Sequence, residues 1–174
     1  MSIEAKPFLK WAGGKGQLLS QLSEHLPERI CNEPFTYIEP FVGGGAMLFF
    51  MLQRFGNIKK AVINDVNEDL ILTYRTIKDN VELLISKLNK LEKDYLAIAD
   101  QEDRSKLFYE VREQYNQNIG DSIERVSQLI FLNKTCFNGL YRVNKRGLFN
   151  VPFGKYANPT IPYGGSITRV PSIT

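Results

Sequence analysis

Three consecutive glycines, Gly43-Gly44-Gly45, separate a short strand-like segment from a long apolar one, and this break constrains the fold more than any other feature. Residues 35–40 (FTYIEP) read as a strand, and 46–55 (AMLFFMLQRF) are apolar enough for a helix packed on a sheet. Residues 60–64 (KAVIN) read as a second strand, closed by Asp65. Strand, glycine turn, helix, strand and acid, in that order, make one βαβ unit of a parallel, doubly wound sheet, hence an α/β fold. Glycines there let the backbone turn sharply and come close to a ligand, with helix amides aimed at it. Asp65, 20 residues after Gly45, stands where a carboxylate can accept hydrogen bonds from both hydroxyls of a ribose. A nicotinamide-type fingerprint asks for a third glycine at position 48, which is Leu48. On these residues alone, a plain structural turn is the competing reading.

Around this unit the pattern is helical. Leu18, Leu19, Leu22 and Leu26 predict a helix over 15–26 that Pro27 stops. Glu68 to Lys78 resumes helical spacing, with Asn67 or Asp65 as its cap. From about 80 to 135 apolar residues recur three and four apart, with a break at Gly120-Asp121-Ser122. The segment YRVNKRGLFNVPFG then alternates about Asn144-Lys145-Arg146-Gly147, predicting a β-hairpin with a four-residue turn. From Ala157 on, Pro, Gly, Ser and Thr dominate without periodicity.

The chain of 174 residues, 43% hydrophobic and 24% charged, suits one domain or one with an appendage. No run approaches the ~18 apolar residues of a membrane span, and Met1 to Lys10 lacks a signal pattern. Cys31 and Cys136 form neither a disulfide framework nor a metal cluster, and a single histidine, His25, argues against a catalytic triad. A cytoplasmic, reduced protein is expected. Of 22 basic residues, Arg125, Lys134, Arg142, Lys145, Arg146, Lys155 and Arg169 follow the last acid, Glu124. Residues 1–124 therefore carry 15 basic against 19 acidic residues. An acid-free basic region attracts polyanions, although a solvated basic face is the simpler alternative.

Two further segments carry chemistry. Phe8-Leu9-Lys10-Trp11-Ala12-Gly13-Gly14-Lys15 suggests a phosphate loop, but the glycine spacing fails and Gly16 stands where Ser or Thr belongs. The only Trp beside a glycine pair and a lysine offers a small ligand a flat apolar surface and a cation; otherwise Trp11 anchors the amino terminus to the core. In 133–154, Arg, Lys and Asn alternate with Phe137, Leu140, Tyr141 and Phe149. Arg and Lys can read guanine edges or phosphates, Asn can pair with adenine, and aromatic or leucine side chains can wedge between bases. An ordinary basic surface hairpin is the alternative.

Taken in order, FLKWAGGK, YIEPFVGGGAMLF, INDVNEDLI and CFNGLYRVNKRGLFNVPFGKY resemble the Dam family of adenine-N6 DNA methyltransferases over residues 7–160. The resemblance implies an S-adenosylmethionine-dependent, Rossmann-like methyltransferase fold, a seven-stranded and mostly parallel sheet of which only the first strands are visible here. It implies cofactor contacts from Trp11, Lys15 and Asp65, with Phe41, Gly43 and Gly45 beneath the methionine portion. A helical and hairpin insertion would recognise a GATC-like site in duplex DNA. There Phe137 would insert into the duplex with Asn138 beside it, and Leu140, Arg142 and Pro152 would meet bases. Lys155 stands where a family member carries Arg, which keeps the charge and weakens a bidentate guanine contact. Lys134, Asn144, Lys145 and Arg146 complete the expected DNA face. The expected parts are a cofactor-binding part over 1–79, a target-recognition part over 80–156, and an irregular, non-native-looking tail over 157–174.

The family's catalytic D-P-P-Y motif is absent from the 174 residues. In the family its Asp and first Pro carbonyl accept hydrogen bonds from the flipped adenine's amino group, directing the N6 lone pair at the methyl carbon. Asn158-Pro159 and Pro162-Tyr163 are fragments split by Thr160-Ile161, with no apolar strand before them. The expectation is a truncated chain that binds without transferring a methyl group. It should expose an unpaired edge beside strand 35–40, be marginally stable alone, and pair with itself or with a missing half. A DNA-binding module that ignores the cofactor is the alternative from another class, and Leu48 and the failed phosphate loop disfavour an NAD- or ATP-binding protein. No metal is implied.

Overall fold

A computed structural model describes residues 7–161. Its sheet is built from the expected βαβ unit: β1 (Phe35–Glu39), α2 (Ala46–Arg54) and β2 (Ile58–Ile63), with β1 and β2 parallel. Thr36 faces Lys60 and Glu39 faces Ile63 across the ladder. Hydrogen bonds from Asn64 N to Glu39 O (2.9 Å) and Val42 N to Asn64 O (3.0 Å) continue the pairing past both strands. The glycine turn and Asp65 are thereby held at the same end of the sheet. These are the two strands among the described residues, and Ile38 and Phe41, at 65% and 67% exposure, leave an apolar surface beside β1.

Two helices flank this sheet. Helix α2 buries Leu48, Phe49 and Met51, and α3 (Glu68–Asp79) buries Leu70, Tyr74 and Ile77. Phe8 fits between them, its ring meeting those of Phe49 and Tyr74 edge-on. Asn67 caps α3 by accepting from Leu70 N, while Asp65 accepts from Asn67 N, so the two candidate caps act in series.

After Asn80 come α4 (Val81–Ala97), α5 (Gln101–Asn116) and α6 (Ser122–Thr135), the last two capped by Asp100 and Asp121. Helix α6 packs against α3, α4 and α5, and Val126 to Asn133 are all buried. A helix buried on every side holds its neighbours in place. One buried apolar cluster runs from Phe8 through α3 and α6 to Phe153. Across it Arg125 of α6 donates Nε (2.6 Å) and Nη2 (3.0 Å) to the two carboxylate oxygens of Asp69 in the first turn of α3. The guanidinium also lies 4.4 Å from the centroid of the Tyr115 ring, and the Tyr115 hydroxyl donates to Asp69.

One expectation needs correction. The helix predicted over 15–26 is one 3-10 turn, Lys15–Leu18, followed by a short α1 (Leu19–Glu24) with no buried residue. The segment packs on α2, and Leu19, Leu22 and Leu26 are only partly covered. The predicted hairpin forms as a short antiparallel pairing, with bridges between Val143 and Phe149 and between Cys136 and Phe153. Backbone bonds run from Asn144 N to Leu148 O, Asn150 N to Arg142 O and Phe137 N to Pro152 O, while the Asn116 amide exchanges two hydrogen bonds with Phe149 and Arg142 donates to the Asn150 carbonyl. The turn itself forms as expected, with Asn144 accepting from Arg146 N and Leu148 N. Over 157–161 the chain has no helix or strand, but side chains of the helices hold it. Arg104 donates to Ala157 O (2.7 Å), and buried Ile161 donates its N–H to Glu92 (2.9 Å). Residues 162–174, including Pro162-Tyr163 and Arg169, lie outside the described residues.

Arg125→Met strands a largely buried Asp69 carboxylate and should lower stability by about 2–3 kcal/mol. The double variant D69L/R125M should recover most of that loss, as read by urea denaturation followed by far-UV circular dichroism.

Candidate functional site

The site grows from the carboxyl ends of β1 and β2. Gly43 donates its N–H to Asp65 Oδ2 (2.9 Å) while Asp65 Oδ1 accepts from Asn67 N (3.0 Å). Each carboxylate oxygen thus keeps further acceptor capacity for a ligand. The Tyr74 hydroxyl donates to Gly43 O (3.1 Å), and burial, reinforced by Glu39 and Asp65, pushes its pKa well up, keeping it a donor. Gly45 adopts φ +83°, and a Cβ there would lie 2.4 Å from the Tyr74 hydroxyl and 2.9 Å from the Phe49 ring. Its glycine identity is required by backbone conformation and by space alike.

Lys15 has partners within the protein. Its ammonium donates to Glu39 Oε1 (2.8 Å) and Phe41 O (2.6 Å), so two of its three protons are used within the protein. Glu39, 5% exposed, also accepts from the Tyr37 hydroxyl. Phe41 projects into solvent beside this pair, and Val66 is 85% exposed on the other side of Asp65. An open cleft of about 1000 Å³ begins at Asp65 and Val66 and runs past Asn67, Arg75 and Arg125 to Tyr141.

Trp11 is anchored within the protein. It packs on the glycine turn, so a Cβ on Gly44 would stand 3.2 Å from Trp11 Cβ. Its ring stacks on Tyr141, with centroids 4.5 Å apart and planes inclined by 24°. One indole face is therefore already covered by a residue from the other part of the chain.

In the basic segment, burial divides the residues cleanly. Cys136, Gly139, Phe149, Val151 and Phe153 are buried anchors. Phe137, Asn138, Leu140, Arg142, Asn144, Lys145, Arg146, Pro152 and Lys155 are all exposed between them. Asn138 and Lys155 adopt positive φ, 57° and 58°, so the chain reverses sharply at both ends of this surface. Arg142 donates Nε to Asn150 Oδ1 and Nη2 to Asn150 O, fixing one edge of its guanidinium and leaving the end-on donors outward. Lys134 is half-buried; desolvation, and then the neighbouring Lys10, push its pKa down to about 8. Burial raises the Cys136 thiol to about 11, and both cysteines are free.

Comparison with known proteins now bears on this geometry. Residues 11–163 match the D12 class N6 adenine-specific DNA methyltransferases. The chain belongs to that family. It is 53% identical over 162 residues to the Type II methyltransferase M.MjaIII of Methanocaldococcus jannaschii, covering 91% of this chain and 55% of the relative. It is 38% identical over 163 residues to the Type II methyltransferase M1.LlaDCHI of Lactococcus lactis, covering 91% and 51%. Identity to the DNA adenine methylase of Escherichia coli is 34% over 157 residues, covering 90% and 50%. The chain thus spans about half the length of these D12-family relatives.

Sequence reasoning missed Glu39, Val66 and Lys10. Glu39 lay inside a segment read as strand, and its burial follows only from the Lys15 side chain folding over it. Val66 was hidden between two polar residues, and exposure of an apolar side chain is not legible from pattern. Lys10 sits in the acid-rich part of the chain, yet folding lays its stem over Gly139 in the basic segment. Arg125, conversely, was counted with the basic region but is held by Asp69. Among the described residues no cluster has the composition of a metal site, and no helix is long and apolar enough to cross a membrane.

Gly45→Ala should destabilise the protein by about 3 kcal/mol, combining a left-handed backbone with overpacking. A thermal melt checks the loss, and near-UV circular dichroism should register the displaced Tyr74.

Proposed function

We propose that this chain is the cofactor-binding and DNA-recognition portion of an enzyme that methylates adenine N6 in duplex DNA. It would have the Rossmann-like methyltransferase fold, with residues 1–79 as the cofactor part and 80–156 as the recognition part. The observation that carries this reading is the contact of Trp11 with the glycine turn on one side and Tyr141 on the other. It makes the candidate cofactor site and the exposed basic face parts of one surface.

S-adenosylmethionine fits the donors and acceptors present, and supplies a methyl group activated on a sulfonium. Asp65 accepts the ribose hydroxyls through the capacity left on its two oxygens. Phe41 and Val66 are exposed apolar side chains on either side of it, suited to flank an aromatic base. Gly43 and Gly45 keep the turn low beneath the methionine portion. Lys15 neutralises Glu39 and retains one proton for a carboxylate, and Trp11 walls the turn. On the DNA side Phe137 inserts between bases with Asn138 beside it, and Leu140 and Pro152 touch base edges. Arg142 reads guanine end-on, its other edge held by Asn150. Lys134, Asn144, Lys145, Arg146 and Lys155, joined by Lys10, supply phosphate and groove contacts. A GATC-like site follows from the family resemblance.

Methyl transfer by this chain alone is not expected, because the 174 residues contain no D-P-P-Y sequence. The exposed basic segment from Phe137 to Lys155 would by itself suit a second reading, a DNA-binding module indifferent to cofactor. The apolar surface at Ile38 and Phe41 beside β1 suits docking of further strands, from a carboxy-terminal half or a second copy.

Titration calorimetry separates the two readings. S-adenosylmethionine should bind this chain, and Asp65→Ala and Asp65→Asn should each weaken it at least about tenfold, or about 1.4 kcal/mol. Undetectable binding by the unaltered chain leaves the DNA-binding module. Incorporation of labelled methyl groups into unmethylated duplex by this chain would overturn the expectation of inactivity.

Lys134 gives DNA binding a pH signature. A nearby phosphate favours the ammonium and raises its pKa above the free value of about 8. Below that value no proton is exchanged; above it, binding requires proton uptake and affinity falls as pH rises. Fluorescence anisotropy with labelled duplex should show an added loss between pH 8 and 9 that Lys134→Gln abolishes.

A further inference from the structure

Asn133 lies in the last turn of α6 and is 1% exposed. Its Oδ1 accepts from Lys10 N (2.9 Å), and its Nδ2 donates to Lys10 O (3.0 Å). One side-chain amide thereby pairs with the backbone of a residue 123 positions away, much as a neighbouring strand would. The second Nδ2 proton goes to Gly139 O (2.9 Å). Both amide protons are used, with no spare donor in this buried position.

Each of the three segments joined here leads to a functional surface. Gly139 closes the 3-10 turn Phe137–Gly139, which presents exposed Phe137 and Asn138. Its φ is +64°, and a Cβ there would lie 2.4 Å from Lys10 Cδ, so the Lys10 stem rests directly on this turn. Lys10 is followed by Trp11, which packs on the glycine turn and stacks on Tyr141. Lys15, four residues further, holds Glu39 and the Phe41 carbonyl. A shift of the Phe137–Gly139 turn therefore moves a hydrogen-bond acceptor of Asn133, and through Lys10 it bears on the segment against the glycine turn.

We propose that Asn133 is a positioning residue that couples DNA engagement at Phe137–Leu140 to cofactor binding at the glycine turn. The inference rests on the function proposed above and adds a residue that touches neither ligand. Sharing one buried amide, the two segments settle together: either ligand, by fixing its own side, reduces the ordering left for the other. Linkage requires the effect to be equal in both directions.

The test is a thermodynamic cycle with sinefungin, a cofactor analogue that cannot transfer a methyl group, and a short GATC duplex. Calorimetry gives sinefungin affinity with and without saturating duplex, and anisotropy gives the reciprocal pair. The unaltered chain should show at least about fivefold mutual enhancement. Asn133→Asp keeps the size and the acceptor for Lys10 N but loses both donors, and its enhancement should fall to within about twofold of unity. Each single-ligand affinity should change less than that ratio, which a purely structural role would not produce. Gly139→Ala wedges the turn away from Lys10 with Asn133 intact, and should lower the ratio independently if Asn133→Asp fails to fold. Binding of both ligands without enhancement, or enhancement preserved in the folded variants, overturns the inference alone. Failure of the unaltered chain to bind either ligand overturns the functional reading and this inference with it.

Discussion

The ion pair between Asp69 and Arg125 sets the relation between the two parts of the molecule. Asp69 lies four residues beyond Asp65, so the helix start that steadies the glycine turn also receives helix α6. A bidentate guanidinium–carboxylate contact fixes direction as well as distance. Tyr115 closes the arrangement, its ring under the guanidinium and its hydroxyl on Asp69. Burial and the adjacent carboxylate push that hydroxyl well up, so it stays protonated and donating. With α6 fixed at its first turn by Arg125 and at its last by Asn133, the loop beyond has little freedom in where it emerges. Buried ionic contacts of this kind specify an arrangement more than they stabilise it.

The regular elements and the positions of the turns were readable from the residues alone. Glycines between two strands forced the βαβ unit, and three-and-four spacing located α4, α5 and α6. Asn144 and Gly147 marked a turn that forms as expected. What was not readable lies in side chains that act at long range. Nothing local reveals that the Asn116 amide grips the Phe149 backbone from outside the hairpin. The leucines of α1 repeat properly, but repetition does not say how fully a neighbouring helix covers them. The pairing of Lys15 with Glu39, 24 residues away, is equally invisible in the local sequence.

Charge shows the same limit of one-dimensional reading. The acid-free carboxy-terminal stretch does yield an exposed basic surface, but its membership differs from the sequence count. Arg125 is neutralised by Asp69, Lys134 is half-buried with its charge weakened, and Lys10 joins from the opposite end of the chain. What the sequence lays out as a block, folding assembles from two termini. Buried residues between the exposed ones then hold the surface in shape, so that its form rests on anchors that carry no charge.

The stack of Trp11 on Tyr141 has a practical corollary. The chain contains one tryptophan, and that indole lies at the joint between the glycine turn and the basic loop. Indole emission responds to stacking and to local polarity, so red-edge excitation of the native protein samples this joint and nothing else. The molecule carries its own optical gauge of whether its two parts are seated together, without a label or an altered residue.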